Sequence, residues 1–328
     1  MTSIKAPRKL RLFLIAILCT VLWGSAIPSI KIGYDLFGIA PAATADKLVY
    51  AGIRFFGAGL ITLLLYLIFS KKEPIPSKKE LLKSSVILGM IQTAGQYFFM
   101  YIGLSYTTGV NASVFNTVGT LLYIVLAWII FHDERLSGLK LFGCIIGFSG
   151  ILLNSLATKE MGILPFRGDG FIILANVSVA IGFLYSKHSV KKTDPFLLTG
   201  IQMGIGGFTL LLIGLLLGGN LPTVSVRGVA LLFYLMIVSS VAFSLWTLLL
   251  RDYPSALVGV FNFLTPVFGT VFSFLLSKGG LLDEESAFTT YTVLAIFCSA
   301  IGILLSSVGD ASKQHRKERE TAKAEKTE

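Results

Sequence analysis

Hydrophobic positions in this chain do not alternate with polar ones at a short period. They run on in blocks of about 20 residues, and polar residues collect between the blocks. Ten such blocks can be marked, at 10–31, 48–69, 83–106, 109–131, 138–157, 170–188, 196–218, 228–250, 255–277 and 288–308. At about 1.5 Å per helical residue, each is long enough to cross roughly 30 Å of hydrocarbon. An open strand at that depth would leave backbone groups unpaired, so each block predicts a helix. The expected fold class is an all-α polytopic membrane protein with ten transmembrane helices. The first block follows Lys5, Arg8, Lys9 and Arg11, as a signal peptide would. It is too long for one and has no small-residue cleavage site, so it is read as a retained first span.

Composition narrows the class. Of 328 residues, 54% are hydrophobic and only 14% charged, with a mean hydropathy of +0.78. A soluble domain carries about 25% charged residues, so a string of soluble domains is excluded. The formal charge of +10 would raise nucleic acid as a partner in a soluble protein. Here its placement matters more. With the N-terminus in the cytoplasm, 21 of the 28 Lys and Arg fall on the inner side and six on the outer, with Arg54 inside the second span. That bias predicts both termini in the cytoplasm of a multi-pass cell-membrane protein. No nucleic acid and no cofactor are expected; the partners are a small-molecule substrate and the lipid bilayer. Cys19, Cys144 and Cys298 all sit in apolar blocks and read as small packing residues. The tail after Val308 alternates Lys, Arg and Glu with no apolar face, as a solvated end does.

The chain also repeats itself. Val114-Phe115-Asn116 recurs as Val260-Phe261-Asn262, 146 residues on. Gly147 to Leu153 resembles Ser299 to Leu305, now 152 residues on, with the extra residues between spans 9 and 10. Span 4 thus matches span 9, and span 5 matches span 10. Five spans is an odd number, so the second half starts on the opposite side of the membrane and the repeat is inverted. Two such halves can exchange conformations around a site near the midplane. The expected organisation is a cytoplasmic N-terminus at 1–9, a first five-helix repeat at 10–158 and an extracytoplasmic linker at 159–169. A second repeat at 170–308 and a charged tail at 309–328 complete it.

Several segments, in this order and spacing, resemble the EamA-type transporters of the drug/metabolite transporter superfamily. They are Trp23-Gly24 with Lys31, Arg54, Gly103 to Thr108, Asn111-Ala112-Ser113, Phe131 to Arg135 and Gly143 to Leu153. The resemblance spans about residues 10–308. It implies ten spans in two inverted halves and export of amino acids or other small metabolites. Where the family often has a second proline matching Pro266, this chain has Thr120, and the common Trp-Ala of span 6 is Ile181-Gly182.

Polar groups inside the blocks are the candidates for chemistry, since each must face the bundle or a cavity. Span 4 offers Asn116, Thr120 and Tyr123 on one face; span 9 offers Asn262, Pro266, Gly269 and Ser273. Span 3 offers Gln92, Gln96, Tyr97, Met100 and Tyr101, span 1 offers Thr20 and Trp23, and span 8 offers Ser244 and Trp246. The expected substrate-binding set is Asn116, Asn262, Gln96, Tyr97, Tyr101, Thr120, Trp23, Arg54 and Trp246. Amides and a guanidinium would hold the charged ends of a small zwitterion, and rings its apolar part. The alternative for each polar residue is interhelical bonding, worth about 0.6 kcal/mol on average. Arg54 has two readings: a fork for a substrate carboxylate or phosphate, or a structural partner for helix carbonyls or Asp46. The Asp and Glu residues all lie in loops, at span ends or in the tail, which favours facilitated diffusion or exchange over proton coupling. An enzyme would need a nucleophile, metal cluster or acid/base pair at one depth, and the sequence offers none. An organic-phosphate or nucleotide-sugar exchanger would need several converging cations. A passive channel would not need two exchangeable halves. Gly143 and Gly147 in span 5, and Ala295, Ser299, Gly302 and Ser306 in span 10, predict close helix packing away from the cavity. The expected state is a monomer or a homodimer.

Overall fold

In the computed structural model, residues 6–69, 77–104, 106, 109–130, 138–156 and 166–281 are described, with 290, 291, 293, 294, 297, 298, 300–302 and 305 in the last block. Among the described residues the protein is an all-helical membrane protein with six clear apolar spans. Its helices are α1 (Ala6–Phe37), α2 (Thr44–Phe69), α3 (Lys78–Leu88), α4 (Gln96–Leu104), α5 (Gly109–Ile130), α6 (Gly138–Leu156), α7 (Asp169–Val190), α8 (Pro195–Leu216), α9 (Val226–Asp252), α10 (Ser255–Val260) and α11 (Leu264–Lys278). The described positions of the last block are helical as well.

Two predicted blocks are not uniform helices. The third is broken between α3 and α4 by a π-helical stretch, Gly89–Gly95. A Cβ on Gly89 would stand 2.7 Å from the Gln202 backbone oxygen, so only glycine lets α8 approach there. The widened turn carries Thr93, whose hydroxyl donates to Gln202 Oε1 at 2.8 Å. Such bulges accompany functional positions in helices. The ninth block narrows to a 3₁₀ turn, Phe261–Phe263, between α10 and α11.

The spine of the bundle is the crossing of α2 on α8. It is built from glycine. A Cβ on Gly52 would fall against Leu211, one on Gly59 against Gly204, one on Gly200 against Leu63, and one on Gly207 against Phe56. Position rises along α2 as it falls along α8, so the two helices are antiparallel. Gly52 and Gly200, Gly59 and Gly207, and Leu63 and Leu211 are each 148 residues apart. The crossing therefore maps onto itself when the helices are exchanged. The wider packing does the same: α1 packs on α9 and α11, while α7 packs on α4 and α5; α2 packs on α9, while α8 packs on α3 and the π segment. Small residues also seat the last block on α6, where a Cβ on Gly302 would meet the Gly143 backbone oxygen at 2.5 Å. The expected close packing at Gly143 and Gly147 is met within the chain.

Each end has its own clasp. Where α1 begins, the Arg8 guanidinium donates to the Asp252 backbone oxygen at 2.8 Å and lies over the Tyr253 ring. The Tyr253 hydroxyl donates to the Arg8 oxygen at 2.7 Å, and Arg11 pairs with Asp252 at 3.4 Å. At the opposite end, the Thr223 amide donates to the Phe37 oxygen and the Asn220 amide to Asp46.

Candidate substrate site

The site begins at Arg54. It is only 3% exposed and sits eleventh of 26 residues in α2, well away from either end. Its Nε donates to the Ser239 hydroxyl at 3.0 Å. Ser239 is fourteenth of 27 residues in α9 and so marks the middle of that helix. The Asp46 partner considered from sequence does not form: Asp46 lies eight residues before Arg54 in α2, about 12 Å along the helix, and accepts from the Asn220 amide. No carboxylate among the described residues pairs with Arg54. Its neighbours are phenols. The Tyr34 and Tyr101 rings lie 6.5 Å apart, and the Arg54 charge acts on Tyr101, Tyr50 and Tyr97. A buried cation with no counter-ion among the described residues is costly, and an anion placed beside it would restore the balance.

A column of rings leads away from this group. Tyr97 lies 6.1 Å from Tyr101 and 4.1 Å from Phe55. Phe55 meets Phe243 at 6.4 Å, and Phe243 meets Trp23 at 5.3 Å. Trp23 is 4.9 Å from Trp246, Trp246 is 5.9 Å from Phe183, and Phe183 is 5.6 Å from Tyr123. The rings come from α1, α2, α4, α5, α7 and α9, so helices of both halves of the chain converge here. Edge-to-face and tilted pairs at these separations are worth about 0.5–1.5 kcal/mol each beyond area burial. Polar atoms on or next in sequence to the column lack partners among the described residues: the indole N–H of Trp23 and of Trp246, the Gln96 Oε1 and the Ser244 hydroxyl are buried without a hydrogen bond. Unpaired buried donors and acceptors each cost about 1–3 kcal/mol, which a polar ligand would recover.

A model described as the EamA-like transporter family matches residues 10–156 and again residues 166–308. The chain belongs to the EamA-like transporter family. It is 28% identical to an uncharacterized transporter of Archaeoglobus fulgidus over 92% of this chain and 98% of that protein. It is also 28% identical to an uncharacterized transporter of Methanothermobacter thermautotrophicus, over 78% of this chain and 80% of the relative. The uncharacterized transporter YyaM of Bacillus subtilis is 27% identical over 67% of this chain and 73% of its own length. A solved crystal structure superposes with a TM-score of 0.71 at 16% identity, covering 90% of this chain and 96% of the other; it shares the fold. This EamA protein is therefore a multi-pass membrane transporter with two family domains, and not an enzyme.

Of the residues expected at the transporter's site, Arg54, Tyr97 and Tyr101 form one cluster, and Trp23 with Trp246 form a second, joined through Phe55 and Phe243. Gln96 precedes Tyr97 in the chain, and its Oε1 is buried with no hydrogen-bond partner among the described residues. Thr120 is half-buried one turn before Tyr123 on α5. Asn262 is half-buried in the 3₁₀ turn, and no recorded ring or hydrogen-bond contact ties its side chain to either cluster. The Asn116 side chain lies outside the described residues. Sequence reading missed Ser239, Tyr34, Tyr50, Phe55, Phe183 and Phe243. It also missed a correspondence. Arg54 and Gln202 are 148 residues apart, the same spacing that relates the crossing glycines. Each bonds a hydroxyl across the bundle, Arg54 to Ser239 and Gln202 to Thr93. The spacing of Gly52 to Gly59, matched by Gly200 to Gly207, was the available signal.

Proposed function

We propose that the protein is a secondary carrier that exports a small amino-acid-like metabolite by alternating access, with the substrate carboxylate held at Arg54 and its apolar part against the aromatic column. The observation that carries this reading is the buried Arg54 guanidinium, ringed by phenols and without an acidic partner among the described residues. The fork of a guanidinium fits a carboxylate bidentately. The unpaired indole, amide and hydroxyl groups along the column are placed to take the remaining polar atoms. Asn116, Asn262 and Thr120 complete the lining in this reading.

Ten spans in two inverted five-helix halves supply the motion. The antiparallel α2–α8 crossing and the matched packing partners of the two halves support that arrangement. Both termini then lie in the cytoplasm, the clasp of Arg8, Arg11, Asp252 and Tyr253 closes the inner end, and the chain acts as a monomer or homodimer. An organic-phosphate exchanger is less well supported, because the groups around Arg54 are phenols rather than further cations. The test is counterflow in liposomes against a panel of amino acids, sugars and organic phosphates. Carboxylate-bearing zwitterions should exchange and neutral sugars should not. Exchange of sugars, or of phosphates alone, would rule out the assignment.

A further inference from the structure

A second polar site lies far from Arg54, at the end of the bundle where α3 begins and α7 finishes. There a cavity of about 200 Å³ opens between the first turns of α3 and the last turn of α7. Drug-sized ligands occupy about 300–1,000 Å³, so this one suits a small headgroup. Lys83 comes from α3, and His188 and Lys192 from α7 and its exit, so cationic or protonatable groups face the space from both sides. Glu80 supplies one carboxylate. The first turn of the eleven-residue α3 opens beside it, capped by the Ser77 hydroxyl, which accepts from the Glu80 amide at 3.3 Å. Ser189 also lines the cavity. It is 7% exposed, and its hydroxyl is buried with no hydrogen-bond partner among the described residues. That orphaned group, in a cavity flanked by lysines and a helix start, has the chemistry of an anion site.

We propose that this cavity binds a phosphate ester carrying an amine, of the phosphoethanolamine type. The phosphate sits among Lys83, Lys192 and Ser189, and the ammonium pairs with Glu80. The surroundings favour a lipid source. Val86 on α3, one turn past the lining residue Lys83, and Ile181 on α7, one turn before the lining residue Tyr185, are 40% and 44% exposed, which gives acyl chains an apolar flank to follow into the bilayer. A headgroup held there ties α3 to α7, and so the first family domain to the second.

The full-length protein in lipid nanodiscs, and the Lys83→Gln/Lys192→Gln and Glu80→Gln variants, separate the possibilities by native mass spectrometry of retained lipid. These side chains are exposed, so the fold should survive; thermal melting in detergent checks it. The wild type should retain phosphatidylethanolamine over phosphatidylcholine, and the double variant should lose at least fivefold of that adduct. Glu80→Gln should erase the preference over phosphatidylglycerol while keeping phosphate-dependent binding. Free phosphoethanolamine raising the melting temperature of the wild type but not of the double variant, without selective lipid retention, would support the site with a soluble source. Equal lipid retention by wild type and double variant, together with no shift from phosphoethanolamine, would overturn the proposal.

Discussion

Replacing Arg54 with glutamine puts the substrate assignment at most risk. The guanidinium is 3% exposed, donates to Ser239 at 3.0 Å and has no acid beside it among the described residues. Removing it therefore orphans no buried carboxylate, the usual reason such a change unfolds a protein. Glutamine keeps a donor for Ser239. The protein already holds a glutamine at the matching place of the other half, where Gln202 accepts from Thr93. The fold should thus tolerate Arg54→Gln, with wild-type yield and elution profile. Transport should not. A hydrogen bond from a charged group contributes about 1.5–3 kcal/mol. At 1.4 kcal/mol per tenfold, its loss raises the half-saturation concentration about 10- to 150-fold. Arg54→Lys retains the charge but not the fork and should fall between. Counterflow uptake into proteoliposomes, with whichever compound of the panel exchanges, gives the value. An Arg54→Gln protein that folds and transports with unchanged half-saturation would refute the role of the guanidinium. Collapse of yield with glutamine but not lysine would make Arg54 a structural cation.

Three further outcomes follow from particular contacts. A Cβ on Gly207 would press into the backbone of Phe55 and Phe56, whereas one on Gly204 meets nothing within 4 Å; Gly207→Ala should cost about 1–3 kcal/mol and lower the melting temperature, while Gly204→Ala leaves it unchanged. Asp252→Ala removes the partner of Arg11 at the clasp, a half-exposed pair worth at most about 1 kcal/mol. The clasp should then open up to about fivefold more often, read as faster alkylation of Cys19, which is fully buried and donates to the Ala242 oxygen at 3.5 Å. Counterflow should persist when the pH gradient is collapsed, since the Asp and Glu residues lie in loops, at span ends or in the tail.

Much of the fold was legible because lipid imposes it: long apolar blocks must be helices, and Arg54 stood out as a charge within one. The glycines of α6 also spoke plainly, and Gly302 packs on Gly143. What stayed hidden depends on partners that hydropathy does not record. Ser239 looks like any small residue in an apolar helix until α2 brings Arg54 against it. Phe55, Phe183 and Phe243 look lipid-facing until the column is assembled. The π segment begins at Gly89, where α8 comes close, a tertiary contact with no local signature. The second half of the repeat was visible in Val260-Phe261-Asn262, yet the Arg54–Gln202 correspondence was not, because an arginine and a glutamine share no hydropathy pattern.

The central claim is that two equivalent halves take turns in opening opposite ends. Distances between paired spin labels measure this without knowledge of the substrate. One pair, at Lys9 and Arg251, spans the clasp end; the other, at Tyr106 and Arg167, spans the opposite end, where Gly103 of α4 packs on Ile172 of α7. Alternating access predicts that conditions lengthening one distance leave the other short, and that both are never long together. Distances that lengthen in concert would describe a pore and contradict the claim.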